Sequence, residues 1–280
     1  MPAIEEDVSS HYTVDDLLGR IQSALREAGI DPLRARPEDL KAVDEFHIGG
    51  LQATDDLLDQ LQITPETPVL DLGSGLGGTA RHIAVSCGAN VTGIDLTEAF
   101  VLTARELSRM VGLAGCTAFQ QGSANDLPFT ADSFELVTMF HVGMNIADKS
   151  VLMAEVFRVL APGGIFALFD VMAVEADRPA LDYPLPWAGD EAFSFVDRPE
   201  TYRAAARAAG FVAMAERVRA QFAIDFVDEV MGRIEAEGVP PVGLHLLMRE
   251  TAADKVRNFV AALRSGDVAP CEMIFRKPGG

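Results

Sequence analysis

Glycines and carboxylates that could hold a nucleotide-type cofactor lie close together in the first half of the chain. Residues 71–78, Asp-Leu-Gly-Ser-Gly-Leu-Gly-Gly, follow a short apolar run and precede a helical pattern. Glycines let the backbone turn sharply against a ligand, and the following helix offers free N–H groups. Asp95, about 20 residues further on, suits a carboxylate that accepts both hydrogen bonds of a ribose diol. The spacing of Gly73, Gly75 and Gly78 also satisfies the dinucleotide fingerprint, so this stretch alone does not choose the cofactor.

Short apolar strands alternate with helical patterns around this stretch. Strands are predicted at 69–72, 91–94, 117–120, 134–140, 165–171, 211–215 and 272–276, and the helices between them at 79–86, 98–111, 151–160 and 199–209. Alternation at this period is typical of βαβ units, whose parallel sheet is covered by helices on both faces. The predicted fold is therefore α/β, with a doubly wound, Rossmann-like, mostly parallel seven-stranded sheet.

Helical patterns also flank the predicted sheet. Residues 1–61 are predicted to form an N-terminal helical cap, with helices at 13–29, 37–46 and 51–61. Residues 62–280 are predicted to form the α/β domain, with lid insertions near 175–198 and 220–265. In the second insertion, Phe222, Phe226 and Val230 recur at i, i+4 and i+8, which predicts the buried stripe of a helix.

The composition excludes several classes of protein. Of the 280 residues 49% are hydrophobic, enough for a large core, and 23 Lys and Arg against 42 Asp and Glu give a net charge of −19. Such an acidic surface repels phosphate backbones and anionic membranes. The apolar run 165–174 is interrupted by Asp170 and is too short to cross a bilayer, and the acidic N-terminus is unlike a secretory signal. We expect a cytoplasmic protein that binds neither nucleic acid nor a membrane.

The cysteines and histidines show no metal-ligand spacing. Cys87, Cys116 and Cys271 lie far apart and contain no C-x-x-C pair, and the five histidines contain no H-x-x-x-H pair. We therefore predict reduced core thiols and no metal site.

Two further motifs follow the glycine-rich stretch in a recognisable order. Residues 122–129, Gly-Ser-Ala-Asn-Asp-Leu-Pro-Phe, precede the fourth predicted strand, and residues 158–164, Arg-Val-Leu-Ala-Pro-Gly-Gly, lead into the fifth. With these motifs, Asp71 and Asp95, the sequence resembles the class I S-adenosylmethionine-dependent methyltransferases over about residues 40–175 plus the last predicted strand. The resemblance implies an enzyme that uses S-adenosylmethionine to methylate a small-molecule acceptor, with a homodimer as one option for its assembly.

The resemblance also implies which residues bind the cofactor. In the family an acid stands two positions before the first glycine, as Asp71 does, and the 122–129 motif contacts adenine. Many relatives carry an acid where this chain has Ser123, so the adenine amino group is expected to be held here by the Ser123 hydroxyl or by backbone. The implied cofactor-binding residues are Asp71, Gly73, Ser74, Gly75, Asp95, Leu96, Ser123, Ala124 and His141.

A finer resemblance concerns the acceptor. Gly122-Ser123, residues 47–49 (His-Ile-Gly) and residues 273–277 (Met-Ile-Phe-Arg-Lys) are similar to the N-methyltransferases of glycine, sarcosine and dimethylglycine, which implies an amine acceptor. The quinone, sterol and natural-product methyltransferases share several of these matches. O- or C-methylation of a quinone, terpenoid or other secondary metabolite therefore stays an alternative. An NAD-dependent oxidoreductase is the alternative of another class, disfavoured by Asp71 and the motifs at 127–129 and 162–164.

Catalytic candidates stand where the fourth predicted strand ends. A sulfonium methyl group is already activated, so the protein mainly has to hold the nucleophile in line with it. Open α/β sheets bind substrates outside the carboxyl ends of their strands, which selects His141 and Asn145. His141 could accept a proton, orient a carboxylate, contact the cofactor or serve only as a hydrogen-bonded structural residue. For Asn145, the alternative is a loop cap.

Acceptor-binding candidates stand in and after the first insertion. The aromatic faces of Trp187 and Phe195 would suit a methylated ammonium through cation–π attraction, and ordinary lid packing is the alternative. Arg198 and Arg203 could each hold a substrate carboxylate with two hydrogen bonds. A solvated start of a helix would explain both arginines equally well.

Overall fold

Seven strands form one sheet in the protein. The computed structural model describes residues 3–12, 16–175 and 179–279. The strands are β1 (Val69–Leu72), β2 (Val91–Asp95), β3 (Thr117–Gln121), β4 (Phe134–Phe140), β5 (Leu160–Ala173), β6 (Val212–Val218) and β7 (Val268–Arg276). Their order is β3-β2-β1-β4-β5-β7-β6, and β7 runs antiparallel to β5 and β6 while the remaining pairs are parallel. The predicted fold class is confirmed.

Two strands begin well before their predicted starts, and β6 ends three residues after its predicted end. β5 begins at Leu160, which pairs with Phe134 of β4. The register shifts before the next pair, Ile165 with Leu136, and Gly163 in between has a φ of 86°, which glycine adopts readily. β7 begins at Val268 and contains Pro270, paired with Val171. A proline lacks the N–H that a ladder needs, so the sequence pattern placed the start of this strand after Pro270.

Helices cover both faces of the sheet and its carboxyl edge. The helices are α1 (Ala3–Tyr12), α2 (Leu17–Glu27), α3 (Pro37–Asp44), α4 (Gly50–Leu58), α5 (Gly78–Cys87), α6 (Glu98–Met110), α7 (Lys149–Val159), α8 (Pro199–Ala209), α9 (Ala220–Glu237), α10 (His245–Met248) and α11 (Ala252–Ser265). α1 was not predicted. Residues 13–15 of the predicted first helix and 176–178 of the predicted first insertion lie outside the described residues. The division into a cap at 1–61 and a domain at 62–280 stays a prediction.

Alternate residues of a strand face opposite sides of the sheet and pack into two separate core clusters. In β1, Leu70 and Leu72 pack with α7 and α8 on one face of the sheet, whereas Val69 packs with α4, α5 and α6 on the other. All four residues of β1 are buried, and Asp71 is the one polar residue among three apolar ones. A third cluster joins α2 and α3 to α6 and α10, so the N-terminal helices pack against the late insertion as well as against the domain.

None of the described helices is both long and apolar enough to cross a membrane. Within the same residues, no group of three or more His, Cys, Asp and Glu side chains could hold a metal ion. All three cysteines are free thiols; Cys271 is buried as predicted, whereas the prediction of a core position is wrong for Cys87 and Cys116, which are only half-buried.

Candidate active site

A cavity of about 1810 Å³ lies at the carboxyl ends of β1, β2, β3 and β4, under a roof of α1, α9, α10 and α11. The structure brings most of the predicted site residues to its wall. Those that line it are Asp71, Gly73, Ser74, Gly75, Asp95, Leu96, Ser123, Ala124, His141, Asn145 and Trp187.

The glycine-rich turn after β1 leaves open space for a ligand. At Gly73, with a φ of 70°, a Cβ atom would lie 2.2 Å from Cγ2 of Val142, so only glycine allows this approach between the β1 and β4 loops. Gly75 has a φ of 52° and would meet nothing within 4 Å, because it faces the cavity. The backbone of Gly75 is therefore exposed to whatever binds there.

Arg81, which sequence reasoning missed, holds this turn from behind. Its Nη2 donates to the carbonyl of Leu76 at 2.7 Å and to Oδ1 of Asp44 at 2.6 Å, and its Nη1 donates to Oγ of Ser108 at 3.1 Å. Arg81 is only 1% exposed. Arg81, which lies in α5, thus connects the turn to α3 and α6. The sequence alone does not indicate that this arginine is buried.

Asp95 connects the turns after β1 and β2. Its Oδ2 accepts from the N–H of Gly75 and its Oδ1 from the N–H of Thr97, both at 2.8 Å. Burial raises the pKa of this carboxyl, and the two N–H groups oppose that shift. Each carboxylate oxygen keeps a further lone pair that could accept from a ribose hydroxyl.

Four buried polar atoms in the cavity wall have no hydrogen-bond partner within the described part of the chain: Oδ2 of Asp71, Oγ of Ser74, Oδ1 of Asn125 and Nε2 of His141. Asp71 accepts from Oγ1 of Thr138 at 2.9 Å through its other oxygen, and burial raises its pKa to about 7. Buried polar atoms are nearly always paired in a folded protein. The orphaned atoms therefore fit a polar ligand, such as the amino-acid portion of S-adenosylmethionine.

His141 sits at the end of β4 in a left-handed backbone conformation, with a φ of 53°. Its N–H donates to the carbonyl of Phe169 at 2.8 Å, and its ring centroid lies 5.9 Å from that of His47. Burial and the charge of His47 lower the pKa of His141 well below 6.5. At neutral pH the His141 ring is uncharged, and its Nε2 can accept a proton or donate one, depending on the tautomer.

Glu45 is a buried carboxylate in the cavity wall that was not predicted. Its Oε2 pairs with Nε2 of His47 at 2.9 Å and accepts from Oγ1 of Thr54 at 3.0 Å. Burial alone would raise the pKa of Glu45, but the hydrogen bond and charge of His47 lower it to about 2. The sequence pointed only to His47, through its resemblance motif; no local pattern marks Glu45.

Asn145 fastens surrounding segments to each other. Its Nδ2 donates to the carbonyls of Trp187 at 2.8 Å and Phe193 at 3.3 Å, while its Oδ1 accepts from the hydroxyl of Tyr12 at 2.9 Å. Burial raises the pKa of Tyr12, which keeps this donor protonated. The arrangement favours the loop-cap alternative, and a catalytic role for Asn145 stays a prediction.

Three of the four predicted acceptor contacts lie away from the cavity wall. Phe195, Arg198 and Arg203 do not line it, whereas Trp187 does. Arg203 donates to both carboxylate oxygens of Glu216, at 2.7 and 2.6 Å, because α8 packs beside the edge strand β6. We leave Phe195, Arg198 and Arg203 out of the proposed acceptor site.

The predicted buried stripe of α9 is wrong for part of its length. Phe226 and Val230 are only half-buried and line the cavity, together with Ile234 one turn further on. Phe222 packs against the core beside Gly49. A period of 3.6 residues describes a helix face that points into a core and one that points into a cavity equally well.

The chain is similar to several known methyltransferases. Residues 70–168 match a family model described as "Methyltransferase domain". A glycine/sarcosine/dimethylglycine N-methyltransferase of Actinopolyspora halophila is 38% identical over 119 residues, 42% of this chain and 21% of that protein. The erythromycin 3''-O-methyltransferase of Saccharopolyspora erythraea is 31% identical over 175 residues, 58% of this chain and 57% of that protein. The matched part of the chain therefore covers about a fifth of the length of the first relative and somewhat over half of the length of the second.

A solved structure extends the likeness to nearly the whole chain. The geranyl diphosphate C-methyltransferase of Streptomyces coelicolor A3(2), solved with Mg²⁺, geranyl-S-thiolodiphosphate and S-adenosyl-L-homocysteine, aligns with a TM-score of 0.70. The alignment covers 99% of both chains at 15% sequence identity. At that identity the likeness establishes the fold.

Proposed function

We propose that the chain, whose residues 70–168 match a methyltransferase domain, uses S-adenosylmethionine to methylate a large, mainly apolar small molecule. The observation that carries the acceptor proposal is the apolar wall that α9, α10 and α11 add to the cavity. The acceptor nucleophile is an oxygen or a carbon atom. The proposal takes up the alternative that the sequence left open beside an amine acceptor.

The size of the cavity supports a large acceptor. Ligand pockets commonly enclose about 300–1,000 Å³, and this cavity has a volume of about 1810 Å³. It therefore has room for the cofactor and for an acceptor much larger than glycine. Its outer wall carries both charged and apolar residues, and the apolar ones are Phe226, Val230, Ile234, Val242, Leu247 and Val260 among others.

The charges in the cavity wall disfavour an acceptor with a carboxylate. Such a group is normally held by an arginine or lysine that is available to it. The cations that line this cavity are each paired with a carboxylate already. The pairs are Lys41–Glu45 at 3.4 Å, Arg233–Glu229 at 3.8 Å, Arg257–Asp254 at 2.7 Å and Arg264–Asp228 at 2.5 Å.

The chain's own residues divide the work of the reaction. The bound cofactor supplies a methyl group that is already activated on a sulfonium. Asp95, which accepts from the N–H of Gly75, would hold the ribose hydroxyls. The turn at 73–75 would receive the amino-acid portion, and the orphaned oxygen of Asp71 would accept a hydrogen bond there. Nε2 of His141 accepts the proton that an oxygen or carbon nucleophile must lose. The roof helices exclude water from the acceptor.

A small amine acceptor is the second candidate. It is favoured by the likeness to the Actinopolyspora halophila N-methyltransferase, which extends over 42% of this chain. An amine acceptor needs no base during attack, because its free lone pair is already nucleophilic. The cavity wall, however, offers it no unpaired cation for a carboxylate within the described residues.

Val230→Asp tests the apolar acceptor site without knowledge of the natural acceptor. Val230 is half-buried in the cavity wall. A carboxylate at this position would be desolvated when an apolar molecule binds, and the desolvation would weaken the binding free energy by about 1–3 kcal/mol. We expect the affinity for Nile red, titrated by fluorescence, to fall by about tenfold or more. The affinity for S-adenosylhomocysteine should stay within a factor of about two, since the two ligands occupy different parts of the cavity.

Val212→Asp is the matched control. Val212 is 45% exposed on the edge strand β6 and does not line the cavity, so Nile red affinity should stay at the wild-type value. Equal Nile red binding by the wild type and both variants would show that the α9 wall does not hold apolar ligands.

A further inference from the structure

Glu5, on the N-terminal helix α1, brings a carboxylate to the loop after β3. Its Oε1 accepts from Oγ of Ser123 at 2.5 Å and from Nδ2 of Asn125 at 3.3 Å. All three side chains line the cavity. No sequence motif links Glu5 to this loop, which lies 118 residues further along the chain.

The order of the strands indicates which part of the cofactor reaches this loop. The sheet order β3-β2-β1 places the turn at 73–75, Asp95 and Ser123 in succession along one edge. If the amino-acid portion occupies the turn and the ribose reaches Asp95, then the base must extend over the carboxyl end of β3. The carboxylate of Glu5 stands at that end of the cavity.

Two acceptors at this position remain available to a ligand. None of the described hydrogen bonds reaches Oε2 of Glu5, and Oδ1 of Asn125 is buried without a partner. The hydroxyl of Ser123 is already engaged twice, since it donates its proton to Glu5 and accepts from the N–H of Asn125 at 3.0 Å, which leaves it one lone pair and no charge. The site thus presents acceptors to a group that carries two N–H donors.

We propose that Glu5 recognises the exocyclic amino group of adenine, with Oε2 of Glu5 and Oδ1 of Asn125 accepting its two hydrogens. This inference rests on the proposed function, because it assumes that S-adenosylmethionine occupies the cavity. Glu5 is then a specificity residue for the nucleobase. Ser123 is a positioning residue that orients the carboxylate and does not itself contact the base.

The test compares two ligands that differ at one position of the base. S-adenosylhomocysteine carries an amino group there, and S-inosylhomocysteine carries a carbonyl, which would face the Glu5 carboxylate as a second acceptor. Calorimetry should show that the wild type binds the adenine ligand at least tenfold more tightly. Glu5→Gln should weaken binding of the adenine ligand by about tenfold, since a charged acceptor is lost. The same variant should bind the inosine ligand as well as or better than the wild type, because the new amide can donate to the carbonyl.

Glu6→Gln is the control, since Glu6 is exposed on the same helix and does not line the cavity. It should bind both ligands like the wild type, and both variants should keep the wild-type melting temperature without ligand. If Glu5→Gln weakens both ligands equally, Glu5 only fastens α1, and the recognition role is wrong. If Glu5→Gln binds both like the wild type, Glu5 does not contact the base. A wild type that binds neither ligand would instead contradict the proposed function.

Discussion

Arg81→Met should lower the free energy of unfolding by about 3–5 kcal/mol, because it leaves the carboxylate of Asp44 buried without its charge partner. The melting temperature should fall by on the order of 10 °C. The exposed Arg109 pairs with Glu106 at 2.7 Å, and Arg109→Met should change stability by less than about 1 kcal/mol. Urea denaturation of the two variants and the wild type measures the difference.

The loss of stability in Arg81→Met should become larger as the pH rises. Burial raises the pKa of Asp44 above 3.8, and removing Arg81 raises it further. A carboxyl whose folded-state pKa is raised binds more protons when folded, so Arg81→Met should lose stability as the pH rises above 3.8 toward the raised pKa of Asp44. The double variant with Asp44→Asn should show no such loss and should be more stable than Arg81→Met at about pH 8. A destabilisation independent of pH in Arg81→Met would contradict the buried-charge explanation.

His141→Asn should lower the rate of methyl transfer to the natural acceptor by roughly 10²–10⁴-fold, because an amide cannot accept the proton that Nε2 takes. Asparagine is chosen because it tolerates the left-handed backbone at this position, where alanine would add strain. His82→Asn is the control, since His82 pairs with Asp55 away from the cavity and should retain the wild-type rate.

The pH profile separates the role of a base from a merely structural role. Protonated His141 cannot accept a proton, so the wild-type rate at limiting acceptor should rise through an inflection below 6.5, where burial and His47 place the pKa. The inflection should be absent in His141→Asn. A profile that climbs toward the acceptor's own pKa in both proteins would instead identify an amine acceptor and would remove His141 from proton transfer.

The parts of the fold that depend on local periodicity could be predicted from the sequence. Each strand of the sheet was placed within a few residues, because apolar runs bounded by glycine, proline and polar turns have a local signature. The glycine turn and Asp95 were found for the same reason. The starts of β5 and β7 were missed where a bulge and Pro270 interrupt the local pattern but pairing continues.

The parts of the site that depend on distant contacts could not be predicted. Glu5 and Tyr12 reach the cavity from a helix whose sequence pattern is weak, and Arg81 and Glu45 are charged residues that only the complete fold buries. For Phe226 and Val230 the helical spacing was recognised, but the prediction that they are buried in the core was wrong, because they face the cavity. A pattern in one helix does not specify what lies opposite it.

Product analysis with S-adenosylmethionine that carries a trideuteromethyl group identifies the acceptor. The protein would be incubated with glycine, sarcosine and dimethylglycine in one set and with isoprenoid alcohols, quinols and macrolides in another. Mass spectrometry would follow S-adenosylhomocysteine and the labelled product. We predict that S-adenosylhomocysteine and a trideuteromethylated product form together with an apolar acceptor and not with the glycine series. Labelling of sarcosine or dimethylglycine, with no labelled product in the apolar set, would contradict the account.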